Sequence, residues 1–132
     1  MIITLNDYQR LTGFVEFASL KTKMPEIVSM FQAELQGARI LAQEKVSEHV
    51  ITMNSRVLLR NLATKTDAEL TLTYPQDAEP SQRKVSVFSS IGIALLGRQV
   101  GDITTWKTPR GHGRFEVIKV TYQPEAVGDY SL

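Results

Sequence analysis

The chain changes its hydrophobic period once, near residue 48. Before that point Tyr8, Leu11, Val15 and Ala18 recur at steps of three and four, with Phe14 and Phe17 widening the stripe. That spacing marks one face of a helix. Thr4 with Asp7, or Asn6 alone, supplies a start signal, because a short oxygen-bearing side chain caps the first free amides. The stretch "SLKTKMPE" breaks the stripe, and Pro25 suits the first position of a second helix. Val28, Phe31, Leu35, Ala38 and Ala42 mark its apolar side, with Ile27 and Leu41 flanking. The pattern predicts about 20 residues, roughly 30 Å of helix. Two such helices with a short link predict an antiparallel hairpin, a small coiled coil over residues 1–47. Gly13 and Gly37 each weaken it by up to about 1 kcal/mol relative to alanine, so tertiary packing must compensate.

From His49 onward the period is two. In "AELTLTY" Ala68, Leu70, Leu72 and Tyr74 point one way and Glu69, Thr71 and Thr73 the other. "VITM", "RVLLRNL", "KVSVF", "DITTWKT" and "RFEVIKVTY" also read as strands, and "TPRGHG" as the hairpin loop between the last two. In the final strand Phe115 and Val117 share one face while Ile118, Val120 and Tyr122 share the other. Either both faces are covered or a bulge interrupts the strand near Val117. The expected class is α+β, an antiparallel sheet over residues 48–132 wrapped around one short helix.

That helix lies in "SSIGIALLGRQVGD", residues 89–102. It has room for under two turns before Gly97, too few to be stable alone in water, yet it carries Ile91, Ile93, Ala94, Leu95 and Leu96. The residues alone leave it open whether all five are core or some face a partner. Gly97 is placed to stop the helix in a left-handed conformation.

Composition narrows the class. The 132 residues include 42% hydrophobic and 22% charged side chains, ordinary for a globular domain. There are no cysteines, so no disulfide or thiolate metal site. No apolar run approaches the roughly 20 residues that cross a bilayer, and "MIITLNDYQR" lacks the pattern of a secretory signal. The expectation is a cytoplasmic protein with no membrane partner. A net charge of +1 gives no strong electrostatic case for nucleic acid as principal partner.

The order strand, "SSIGIALLGRQVGD", strand, "TPRGHG", strand resembles the C-terminal domain of the bacterial Gre transcription elongation factors. Their pattern is a serine-proline-apolar entry, an Ala-Leu-apolar-Gly helix end, then Val-Gly-Asp. Ser89, Ile91, Ala94, Leu95, Gly97, Val100, Gly101 and Asp102 match it. Ser90 stands where the pattern has proline, and Ile93 replaces a usual basic residue. Residues 50–62 and the tail "YQPEAVGDYSL" resemble a short-hairpin branch of the same family. The likeness covers about residues 48–132; the N-terminal hairpin matches in type more than in sequence.

The resemblance implies an FKBP-like α+β domain that docks on RNA polymerase at the rim of the secondary channel. It places the polymerase contact on Ser89, Ser90, Ile91, Gly92, Ile93 and Leu96. Within that set Ser89, Ser90 and Ile93 are the expected exposed residues, and Ile91, with Leu95, the expected core. Gly92, lacking a side chain, would let a partner approach closely.

In Gre factors a longer hairpin carries paired acidic residues that help hold a catalytic Mg²⁺ while polymerase cleaves its own transcript. Magnesium needs hard oxygen ligands. The tip here offers Lys21 and Lys23, with Glu26 as the sole acid. Two cations would repel the metal, so the expectation is a non-enzymatic, cofactor-free polymerase binder that competes with cleavage factors. Contact with nucleic acid would be indirect, within the elongation complex, and no small-molecule substrate is implied.

Other chemistry is weaker. His49 and His112 form no ligand pair by spacing, and "PRGHGR" does not match a phosphate-binding loop. A prolyl isomerase would need an open apolar pocket, for which Tyr74, Phe88, Trp106 and Phe115 are candidates, though aromatics on strands are usually core. Direct nucleic-acid binding would draw on Arg98, Lys107, Arg110, Arg114 and Lys119, balanced by Asp67, Glu69, Asp77 and Glu79.

Overall fold

Helix α1 (Leu5–Lys21) starts without a linker from a three-residue strand, β1 (Ile2–Thr4). The structure, a computed structural model, describes residues 1–21, 25–108 and 111–128, leaving aside the side chains of residues 16–21, 25 and 108. The Thr4 hydroxyl accepts a hydrogen bond from the Asp7 amide at 3.0 Å, so the Thr4–Asp7 start signal is the one used. Leu11 and Val15 on α1, and Val28, Phe31 and Leu35 on α2 (Pro25–Gln36), are buried as their spacing requires.

The second helix is shorter than expected, 12 residues or about 18 Å. Its ladder closes where the Gly37 amide donates to the Ala33 carbonyl at 3.3 Å. The chain then extends into β2 (Arg39–Leu41), which pairs in parallel with β1. Gly37 was therefore a stop rather than a weak interior position.

Strands β3 (Arg56–Asn61), β4 (Thr66–Thr73), β5 (Lys84–Ser86), β6 (Ile103–Thr108) and β7 (Gly111–Tyr122) form one sheet ordered β5-β4-β3-β7-β6. Neighbours are antiparallel except β4 and β5, which run parallel. That corrects the wholly antiparallel expectation. Pro75 and Pro80 open two 3₁₀ turns, which bring the chain back before β5 begins, and proline's fixed φ suits such positions.

Of the two alternatives for the last strand, the bulge is present in β7. Leu59 pairs with Val117 and Leu58 with Lys119, leaving Ile118 as the extra residue. The pairing continues from Val57 to Val120 and then shifts again, so Arg56 meets Tyr122. Skipping Ile118 returns Val117 and Val120 to one face, opposite the buried Leu59 and Val57. The phase break in the sequence is thus a real residue insertion.

"VITM" is not a strand. Its backbone is satisfied piecemeal: the Ile51 amide donates to the Arg98 carbonyl at 2.8 Å and its carbonyl accepts from Gly97 at 2.9 Å. Thr52 donates to the Ser55 hydroxyl and Met53 to the Asp7 carboxylate. Val50, Ile51, Thr52 and Met53 are all buried, so the segment is enclosed on both sides without a ladder.

Helices and sheet share one contiguous core. Phe14 of α1 stacks on Tyr74 with centroids 5.4 Å apart, and Phe31 of α2 meets Phe88 edge-on at 5.1 Å. Among the described residues no helix is long and apolar enough to cross a membrane.

Candidate functional site

Helix α3 (Ser90–Leu95) sits where α2, β5 and β6 converge. Ser89 caps it: its hydroxyl accepts from the Gly92 amide at 3.0 Å and donates to the Ser86 carbonyl at 2.6 Å. Both hydroxyl functions are thereby committed, and the side chain is half-buried. Replacing Ser89 by alanine removes a cap and leaves the Ser86 carbonyl short of a donor. A loss of about 1 kcal/mol is expected in urea unfolding, with the native fold retained.

The other end is held as firmly. The Ala94 carbonyl accepts from the Thr104 hydroxyl and from Arg98 Nε, each at 3.1 Å. Gly97 then turns with φ +78°, and its missing side chain leaves room for Met1 and the Ile2 backbone. Its expected left-handed stop is observed.

These contacts decide the short helix's apolar faces. Ile93 is 7% exposed, Leu95 fully buried and Leu96 2% exposed, so the expectation that Ile93 faces solvent is corrected. Helix α2 and strand β6 pack against α3, and Ile93 joins the core cluster, a tertiary arrangement that local pattern does not encode. Gly92 is also buried, and the backbone that approaches it closely belongs to Ser86 and Val87 of this chain rather than to a partner. Ile91 is half-buried and packs against the core, as expected. Ser90 alone of the six candidates is exposed.

Beside Ser90 lies an open groove of about 480 Å³. Ile93 and Trp106 form its floor, and Met30 and Ile103, 53% and 50% exposed, stand at its rim. Sequence reasoning missed both rim residues, because each lies in an amphipathic element whose period accounts for the opposite face. Trp106 stacks flat on Phe115, centroids 3.8 Å apart.

Of the hairpin-tip candidates, Glu26 is exposed in the first turn of α2. Lys23 and the side chain of Lys21 lie outside the described residues, as does Arg110. His49 and His112 are exposed. Among the described residues no three His, Cys, Asp or Glu side chains gather where they could hold a metal ion.

A polar knot ties the start of α1 to the rest of the fold. Asp7, 3% exposed, accepts from the Met53 amide at 3.0 Å. Arg10, Tyr74 and Glu125 stand around it. Burial lifts the Asp7 carboxyl to about 7, only partly offset by the Met53 hydrogen bond. Burial also raises Glu125, against the hydrogen bond from Thr52, and raises the Tyr74 phenol, to which the Asp7 charge adds.

The arrangement contains a capped helix end beside an open groove of mixed lining, and the chain matches known proteins over most of its length. The family described as "Transcription elongation factor, GreA/GreB, C-term" matches residues 46–122. The chain is 42% identical over 107 residues to the "Regulator of nucleoside diphosphate kinase" of Escherichia coli K12, covering 80% of this chain and 79% of that protein. It is 31% identical over 113 residues to the transcription elongation factor GreA of Chloroherpeton thalassium, covering 83% and 72%. The solved structure "Prokaryotic transcription elongation factor GreA/GreB from Nitrosomonas europaea" superposes with a TM-score of 0.77 at 33% identity, covering 92% of this chain and 98% of that one. The turn signals and helix ends that set the geometry around α3 fall inside the matched region, so the motif likeness and the fold agree: the chain belongs to the GreA/GreB family of transcription elongation factors.

Proposed function

We propose that the protein is a transcription elongation regulator that binds RNA polymerase at the rim of the secondary channel and supplies no transcript-cleavage chemistry. The N-terminal end of α3 is the docking element: Ser90 presents outward, Ser89 and Gly92 fix the turn, and Ile91 supports it from the core side. Ile93 and Leu96 hold that turn in place from within. The observation that carries the reading is the acid-poor tip between two short helices. Residues 21–26 contain one carboxylate and two lysines, whereas magnesium binding requires several oxygen ligands.

The protein acts here as a binder, with polymerase as partner and any nucleic acid met only within the elongation complex. By likeness to the Escherichia coli relative, whose name records regulation of nucleoside diphosphate kinase, such regulation extends to this chain as an effect of binding. The isomerase alternative is disfavoured because its aromatic candidates are spent on packing. Tyr74 stacks on Phe14, Phe88 meets Phe31, and Trp106 lies flat on Phe115.

A stalled elongation complex tests the reading. With a GreA-type cleavage factor present, added protein is expected to slow transcript cleavage in a concentration-dependent way, and to cause none alone. Cleavage by the protein itself would overturn the proposal.

A further inference from the structure

The groove beside α3 touches Ile103, Thr104, Thr105, Trp106 and Lys107 in unbroken succession. Side chains of a strand alternate between faces, and here they do: Ile103, Thr105 and Lys107 are exposed while Thr104 and Trp106 are buried. A groove that meets both sets must run along the strand's edge rather than across one face.

That edge is the end of the sheet, since β6 is the last strand in the order. Its pairing with β7 fixes which backbone groups face outward. The Val117 amide donates to the Asp102 carbonyl at 2.9 Å, and alternate residues along an antiparallel strand repeat that geometry. Thr104 and Trp106 therefore bond toward β7, against Phe115 and Gly113. The amides and carbonyls of Ile103, Thr105 and Lys107 point away from the sheet, into the groove.

The groove also carries a charge. Arg98 and Lys107 line it against one acid, Glu34. An edge-strand lysine opposes pairing with a second copy of the same strand, because the cations would meet, but it complements an acidic segment.

We propose that the outer edge of β6 receives an extended, acidic segment of a partner polypeptide, which adds a sixth strand to the sheet and seats alternate apolar side chains between Met30, Ile93 and Trp106. The inference rests on the reading above in taking RNA polymerase as the source of that segment.

Amide hydrogen exchange on the protein with and without core RNA polymerase tests it. The amides of Ile103, Thr105 and Lys107 are expected to gain protection, while those of Thr104 and Trp106 are already slow. Thr105→Pro removes one outward amide at a position where an edge strand tolerates proline, and Lys107→Glu reverses the charge. Each is expected to weaken polymerase binding about tenfold or more. Should Thr105→Pro fail to fold, Lys107→Glu and Ile103→Glu, both at exposed sites, carry the same test. If polymerase binds without protecting these amides, or binds all variants as tightly as wild type, the strand-addition proposal falls and the docking reading stands. If polymerase does not bind at all, both fall. Protection brought about by single-stranded RNA alone, or by raising the protein concentration alone, would assign the edge to nucleic acid or to self-association and overturn the proposal.

Discussion

Gly92→Ala is expected to destabilise the fold by about 3 kcal/mol, lowering the thermal midpoint by roughly 10 °C. A side-chain carbon at this position would stand against the Ser86 carbonyl oxygen, 2.6 Å from Val87 Cα and 2.8 Å from the Val87 carbonyl carbon. All three are backbone atoms at the end of β5, so no rotamer change relieves the overlap. Either α3 lifts from the strand or β5 shifts, and each disturbs Leu95 and Val87, both fully buried. The same chemical change at Gly13 provides the control, because nothing lies within 4 Å of the added carbon there. Gly13→Ala is expected to stabilise the protein by up to about 1 kcal/mol through helix propensity. Urea unfolding of the two variants should therefore give opposite signs. Equal and small effects would mean that α3 does not press on β5 as described.

The second large effect is a pH dependence centred on Asp7. Its folded-state pKa is raised to about 7 by burial, above the ordinary carboxylate value. The folded protein thus holds a proton that the unfolded chain releases. Keeping the ionised carboxylate buried costs stability at every pH above about 7, and the cost fades as pH falls toward about 4. Glu125, also raised by burial, pushes in the same direction. Asp7→Asn keeps an oxygen to accept from Met53 while removing the charge. The variant is expected to gain on the order of 2–4 kcal/mol over wild type at pH 8 and little at pH 4. Arg10 from the same helix, Tyr74 from the end of β4 and Glu125 from the C-terminal turn all face the group, so a double variant with Glu125→Gln would be less than additive. A variant that is less stable than wild type at pH 8 would show that Asp7 is ionised and favourably held.

Much of the fold could be read in advance because it is carried by local pattern. The stripe Leu11–Val15 and its counterpart Val28–Phe31–Leu35 went inside together, and Gly97 ended α3 in the left-handed conformation its position announced. The disturbed alternation around Val117 left two alternatives, and the bulge is present. What escaped the sequence was decided by contacts between distant segments. Ile93 lies on a helix packed by α2, about sixty residues before it, and by β6, about ten after. Three-residue strands such as β1 and β2 are too short to display a period. Asp7 reads as an ordinary acidic residue in a first helical turn, and only the arrival of Met53 and Glu125 makes it a buried carboxyl. The family likeness pointed to six candidates around α3, and burial left one of them exposed, Ser90.

Equilibrium binding of the fluorescently labelled protein to core RNA polymerase, with unlabelled GreA protein as competitor, tests the central claim most directly. Saturable binding that GreA displaces in full, and that survives replacement of Lys21 and Lys23 by alanine better than replacement of Ser90 by glutamate, is the predicted result. No binding, or binding that GreA leaves undisturbed, would contradict it.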